Sequence, residues 1–191
     1  HGMNTPVRTR RPRRPAGRGI AMANHDACKR VPHAVRAVAA AAQRAPSVEL
    51  NIFGRGAEHE AVQAEIEQLG APARLEGYTS DPAGAFADSS YMLLTSSHEG
   101  FGLVLVEAMA AGSLPVAYHI EYGPADIVTD GVDGFLVPRG DEEELAARVA
   151  EVARSSWWRL RRMRKADPGR AAHFLPHAAL PRWGARFEGA A

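Results

Sequence analysis

The sequence predicts an α/β fold: a Rossmann-like, doubly wound parallel sheet of about six strands with helices on both faces. Three observations predict it. Short apolar runs alternate along the chain with stretches of helical length and periodicity. The run Tyr91–Thr95 passes through a glycine turn, Gly100 to Gly102, straight into the helix-forming stretch Leu103–Ala111. The 191 residues are 46% hydrophobic, which suits one sizeable core and not two.

The elements follow in order. Residues 1–18 carry Arg8, Arg10, Arg11, Arg13, Arg14 and Arg18 among Pro6, Pro12 and Pro15, with no acid. Such a stretch is expected to be a disordered or extended linker. A nucleic-acid arm is the weaker reading, because no aromatics interleave the arginines to stack on bases. Residues 19–154 form the expected domain. A first strand at Gly19–Ala23 leads to an alanine-rich helix at Val31–Arg44, closed off before Pro46. A strand at Val48–Phe53 precedes a helix at Glu58–Leu69, ended by Gly70 and Pro72. The third strand is Ala73–Glu76, and Ser80-Asp81-Pro82 opens a short helix. Tyr91–Thr95 is the fourth strand and Leu103–Ala111 its helix, with Gly112 at the C′ position. Leu114–Tyr118 is the fifth strand, a short helix lies near Ala125–Thr129, and Phe135–Val137 is the sixth strand. Asp141 with Glu144 forms a capping box for a helix running to Arg154.

Residues 155–191 are expected as a helical extension. Its basic start, Trp157 to Lys165, has an apolar side and reads as a peripheral helix whose tryptophans dock on the domain. A membrane-surface contact is the minority reading. No apolar run is long enough to span a bilayer and no signal-peptide pattern occurs. The single cysteine, Cys28, offers neither an internal disulfide nor a metal cluster. These features point to a cytoplasmic protein. The chain opens on His1 and not on methionine, as a piece of a longer protein would.

The chemistry concentrates in the unit around residues 98–112. A glycine turn lets backbone approach a ligand, and the following helix aims unpaired N–H groups and a positive dipole end at it. That is an anion site. Glu99 lies in the turn, and Glu107 is the only charge in an otherwise apolar helix. At about 1.5 Å per residue, Glu107 is displaced by roughly 8 Å from a helix start near Gly102. The two carboxylates could thus hold hydroxyls on either side of a bound phosphate; the alternative for Glu107 is a solvent-facing residue on a half-exposed helix. The turn Gly54-Arg55-Gly56 fails as a dinucleotide fingerprint, since the third glycine is absent. There is no Walker lysine loop, no Gly-x-Ser-x-Gly and no His-Glu-x-x-His. Kinase, hydrolase and zinc-protease readings therefore have no motif to stand on.

The stretch Glu99 to Ala117, EGFGLVLVEAMAAGSLPVA, with its Glu-x7-Glu spacing, resembles the nucleotide-sugar-binding half of retaining GT-B glycosyltransferases of the family-4 type. Residues His119 to Val128 are similar to members that glucosylate poly(glycerol phosphate) wall teichoic acid. The resemblance implies a basic pair in the loop after the first strand. Lys29 matches its lysine; the arginine expected a few residues earlier has no counterpart, because Ala23 or Asn24 stands there, with Arg30 as a partial substitute. It implies that Lys29 and Glu99 are the catalytic residues. Gly100, Phe101, Gly102 and Leu103 would meet sugar or phosphate, Glu107 the ribose, and Gly54 and Gly56 would border the sugar-nucleotide site. No metal and no cofactor are implied, since positive charges of the protein do the work of a cation. The expected substrate is a UDP-sugar and the expected partner a companion GT-B acceptor domain outside this chain. The alternative is a non-catalytic partner subunit or degenerate fragment that at most binds nucleotide sugar.

Overall fold

The structure, a computed structural model, describes residues 16–164. The Arg/Pro-rich stretch expected as a linker lies outside the described residues up to residue 15, as does the chain beyond residue 164. Thirteen elements follow one another: β1 (Arg18–Met22), α1 (Val31–Arg44), β2 (Glu49–Phe53), α2 (His59–Leu69), β3 (Ala73–Gly77), α3 (Pro82–Ala87), β4 (Tyr91–Leu94), α4 (Leu103–Ala110), β5 (Leu114–His119), α5 (Pro124–Ile127), β6 (Phe135–Pro138), α6 (Glu142–Arg154) and α7 (Trp157–Arg164). The strands pair in parallel in the order β3-β2-β1-β4-β5-β6. This is the Rossmann-like doubly wound sheet that the alternation predicts.

Strand residues alternate between two apolar clusters, one on each face. Ile20, Met92, Leu94 and Ala117 pack with Phe86, Leu105, Val106 and Ile127 of α3, α4 and α5. Ala21, Leu50, Leu93 and Val116 pack with Val35, Val38, Leu145 and Val149 of α1 and α6. All four β4 residues are buried, which is why that strand reads as a continuous apolar run.

Polar contacts bolt the second face together. Arg36 grips Glu142 with Nε at 2.7 Å and Nη2 at 2.8 Å, and reaches Glu65 with Nη1 at 2.8 Å. One side chain of α1 therefore ties α2 to α6. His33 Nδ1 lies 3.0 Å from the Tyr118 hydroxyl and 3.0 Å from a Glu142 carboxylate oxygen.

Two local expectations are corrected. Asp141 does cap α6, accepting the Glu144 N–H at 2.9 Å. The return half of the box is not made: the Asp141 N–H goes to the Pro138 carbonyl and the Glu144 carboxylate pairs with Arg148 one turn on. In α7 Leu160 and Met163 are buried and Trp157 is half-buried, while Trp158 is not docked on the domain. Trp158 is 70% exposed and meets Trp157 edge-on, while the Arg161 guanidinium covers the Trp157 ring. The two tryptophans are adjacent in sequence, so a helix cannot turn both toward one face.

Candidate functional site

β1 and β4 are neighbours at the centre of the sheet, and from them the chain winds toward opposite edges. Loops leaving such a switch point diverge and leave a crevice beyond the strand ends. The loop after β1 carries Asn24 to Arg30, and the loop after β4 carries Thr95 to Gly102.

These two loops are joined by side chains. Lys29 Nζ donates to Glu99 Oε1 at 2.7 Å, with side-chain exposures of 25% and 9%. The buried Ser96 hydroxyl donates to the same oxygen at 2.5 Å. Thr95 Oγ1 donates to the carbonyls of Lys29 at 2.9 Å and Arg30 at 3.0 Å. The Ser97 N–H donates to the Cys28 carbonyl at 2.8 Å, and the Cys28 thiol reaches the His98 carbonyl at 3.3 Å. Lys29 and Glu99, matched to the family's catalytic positions by resemblance alone, thus sit in one contact.

Arg30 precedes α1 in the left-handed region, φ 48° and ψ 44°, and is the one non-glycine residue with positive φ among the described residues. A bulky residue held there stores strain that its surroundings must hold in place. The bonds from Thr95 do so. Asn24 occupies the same loop, which leans on the turn after β2. Gly54 has φ +120°, and a Cβ there would lie 2.0 Å from the Ala23 carbonyl oxygen; one on Gly56 would lie 2.4 Å from the His25 carbonyl oxygen. Both glycines therefore let one loop backbone lie against another. The structure places them against Ala23 and His25, in the first part of the loop that carries Lys29.

His25 anchors that loop and is fully buried. Its ring stacks on His59 at the start of α2, 5.2 Å between centroids, with the two Nδ1 atoms 3.1 Å apart. Burial first, and His59 second, hold the His25 imidazole below its ordinary pKa. Nothing in the sequence pattern marks this pair, because the two rings meet 34 positions apart.

The glycine turn leads into α4. Gly102 is buried with φ +79°, Gly100 is open on its Cα side, and Phe101 and Leu103 are exposed. Helices α3 and α6 have aspartate caps, whereas no side chain caps the first turn of α4, which Gly102 begins. Its leading N–H groups remain available to an anion. Gly123, after β5, lies against this turn; a Cβ on it would meet the Phe101 carbonyl oxygen at 2.8 Å. Glu107, one turn past Leu103 on the same side of α4, is half-buried. Desolvation pushes its carboxyl above the ordinary carboxylate range, and it makes no hydrogen bond or ion pair among the described residues. Among those residues no cluster of three metal-ligating side chains occurs, and no helix is long and apolar enough to cross a membrane.

A family profile described as glycosyl transferases group 1 matches residues 20–168. The poly(glycerol-phosphate) alpha-glucosyltransferase of Bacillus subtilis is 34% identical over 126 residues, covering 65% of this chain and 19% of that protein. The poly(ribitol-phosphate) alpha-N-acetylglucosaminyltransferase of Staphylococcus aureus is 31% identical over 108 residues, covering 56% and 22%. This chain therefore spans about a fifth of the length of these two relatives. Among solved structures, the pneumococcal O-GlcNAc transferase GtfA in complex with UDP and GlcNAc superposes with a TM-score of 0.78 at 25% identity, over 92% of this chain and 36% of that one. The TarM crystal structure gives 0.79 at 21% identity, over 91% and 35%, a likeness of fold. With the sheet, the crevice and the profile in agreement, the chain belongs to the glycosyl transferases group 1 family, whose structural neighbours here are GT-B enzymes.

Proposed function

We propose that this chain is the sugar-donor-binding half of a retaining hexosyltransferase that uses a UDP-sugar. The observation that carries the reading is the contact of Lys29 with Glu99 beside the uncapped start of α4. Breaking a sugar–diphosphate bond leaves negative charge on the departing phosphate, and fixed positive groups aimed there lower the barrier. Lys29, with the N–H groups of the 100–103 turn, supplies that charge without a metal or cofactor. Glu99 accepts from sugar hydroxyls and Glu107 from the ribose. Glu99 is not the nucleophile; the acceptor attacks from the face the phosphate leaves, and the departing phosphate takes the acceptor's proton. The acceptor is held by a companion GT-B domain outside this chain. Pneumococcal GtfA, crystallised with UDP and GlcNAc, supports the choice of donor class. The poly(glycerol-phosphate) and poly(ribitol-phosphate) transferases among this chain's relatives support a place in cell-envelope glycan synthesis, which on this reading proceeds at the cytoplasmic side.

Calorimetric titration with UDP, UDP-glucose and UDP-GlcNAc tests the reading. Binding of UDP is expected, with an added contribution from one sugar. No heat of binding at millimolar ligand would overturn it.

A second reading, a non-catalytic partner subunit, is favoured by one feature. Asn24 stands near the position where the resembled family carries an arginine, leaving Lys29 and Arg30 as the basic residues of that loop. Asn24→Arg, assayed with an added companion domain for sugar transfer and donor hydrolysis, separates the two. Binding without turnover in either form supports the subunit.

A further inference from the structure

Thr95 and Ser96 leave β4 side by side, 4% and 1% exposed, and their hydroxyls serve two different parts of the crevice. Ser96 donates to Glu99 Oε1 at 2.5 Å, and Lys29 donates to that same oxygen at 2.7 Å. A carboxylate oxygen has two lone pairs, so these two bonds fill Oε1. Oε2 makes no hydrogen bond among the described residues and is the acceptor left for a ligand hydroxyl. Thr95 does the corresponding task for the lysine loop. Its hydroxyl is shared between the Lys29 and Arg30 carbonyls at 2.9 and 3.0 Å, where the backbone is left-handed at Arg30. Loss of that clamp is expected to let Arg30 relax toward commoner dihedrals and to turn Lys29 with it.

We propose that Thr95 and Ser96 are positioning residues of the sugar-nucleotide site, Ser96 aiming the Glu99 carboxylate at the sugar and Thr95 aiming the Lys29 ammonium at the diphosphate. The inference rests on the donor-site reading above and adds a division of labour within it. Ser96 governs how well the sugar is distinguished from none, and Thr95 governs the grip on the diphosphate whatever sugar is attached. A hydroxyl with a merely structural role would change stability and leave both untouched.

The test titrates the 191-residue chain and its Ser96→Ala, Thr95→Val and Thr95→Ser variants with UDP, UDP-glucose and UDP-GlcNAc, with melting temperatures alongside. Ser96→Ala is expected to lower the preference for the bound UDP-sugar over UDP by about tenfold, the worth of one hydrogen bond to a charged group, with UDP itself held within about twofold. Thr95→Val is expected to weaken UDP and UDP-sugar alike, and Thr95→Ser, which keeps the hydroxyl, to restore both. Should Ser96→Ala fail to fold, Ser96→Cys, with its weak S–H donor, is expected to give an intermediate preference. A wild-type chain that binds UDP but shows no sugar preference, or variants that melt lower with unchanged preferences, overturns this inference alone. A wild-type chain that binds none of the three ligands overturns the donor-site reading and this inference with it.

Discussion

Lys29 Nζ and Glu99 Oε1, 70 positions apart in the chain, lie 2.7 Å apart where the loops after β1 and β4 meet. An ammonium has three protons to donate, so with one given to Glu99 two are left for a ligand. The carboxylate also offsets part of the lysine charge that a phosphate would feel. Glu99→Gln is therefore expected to tighten UDP binding a few-fold while reducing the gain from an attached sugar. Lys29→Met is expected to weaken UDP and UDP-sugars together by about tenfold or more. Calorimetry on the two variants reads both effects; a Glu99→Gln chain that binds UDP more weakly contradicts the assignment.

Glu107 should trade stability against binding. Its folded-state pKa is raised by desolvation, so the folded chain holds the proton more tightly than the unfolded one. Its contribution is then fully favourable below the ordinary carboxylate value and is lost as pH rises through the folded value. Glu107→Gln is expected to melt higher than the parent at pH 7, with the difference vanishing near pH 4, about the ordinary carboxylate value. The same variant is expected to bind UDP about tenfold more weakly, because ribose hydroxyls lose a charged acceptor. Thermal melts over pH 4–8, at roughly unit steps across the window, and UDP titrations check the two halves separately.

His25 gives the opposite sign of pH dependence. Burial and His59 depress its folded-state pKa below the unfolded value of about 6.5. As pH falls below that value the unfolded chain takes up the proton first, so stability is present above it and declines toward the folded value. His25→Asn is expected to flatten the acid slope of the melting curve while leaving the part due to His33, which burial also depresses. An unchanged slope would remove the stacked pair from the account.

The support behind the lysine loop is steric. Gly54→Ala places a Cβ against the Ala23 carbonyl in a backbone region closed to L side chains. A loss of roughly 2–4 kcal/mol is expected from urea melts, together with weaker UDP binding as the loop moves. Gly131→Ala is the control: φ is also positive, at +71°, but the Cβ meets open space, and only about 1 kcal/mol is expected.

Much of this was legible in the amino-acid sequence for physical reasons. Strands buried on both faces, such as Tyr91–Leu94, announce themselves as unbroken apolar runs, and the helix Val31–Arg44 is framed by loop residues and Pro46. The glycine turn entering a helix at residues 100–103 was likewise legible, from Gly100 and Gly102 ahead of a run of helix formers. The connections across the crevice were not legible. That Lys29 meets Glu99, that Thr95 bonds to the Arg30 carbonyl, and that His25 stacks on His59 depend on loops brought together from distant positions. The capping box at Asp141 failed in its second half because Arg148 offered Glu144 an ion pair one turn away. In α7 two adjacent tryptophans cannot both face the domain, so Trp158 points outward while Leu160 and Met163 hold the inward face.

The central pairing of β1 with β4 has an evolutionary consequence. On the proposed reading the diphosphate is gripped by the two middle loops, while those after β3 and β5, which carry the exposed Tyr78 and Tyr122, end strands on either side. Substitutions in the flanking loops would then be expected to retune which base or sugar is accepted while the grip stays intact. A sheet wound outward from its middle thus separates a fixed handle from interchangeable jaws, and lets one scaffold diversify without first losing its hold.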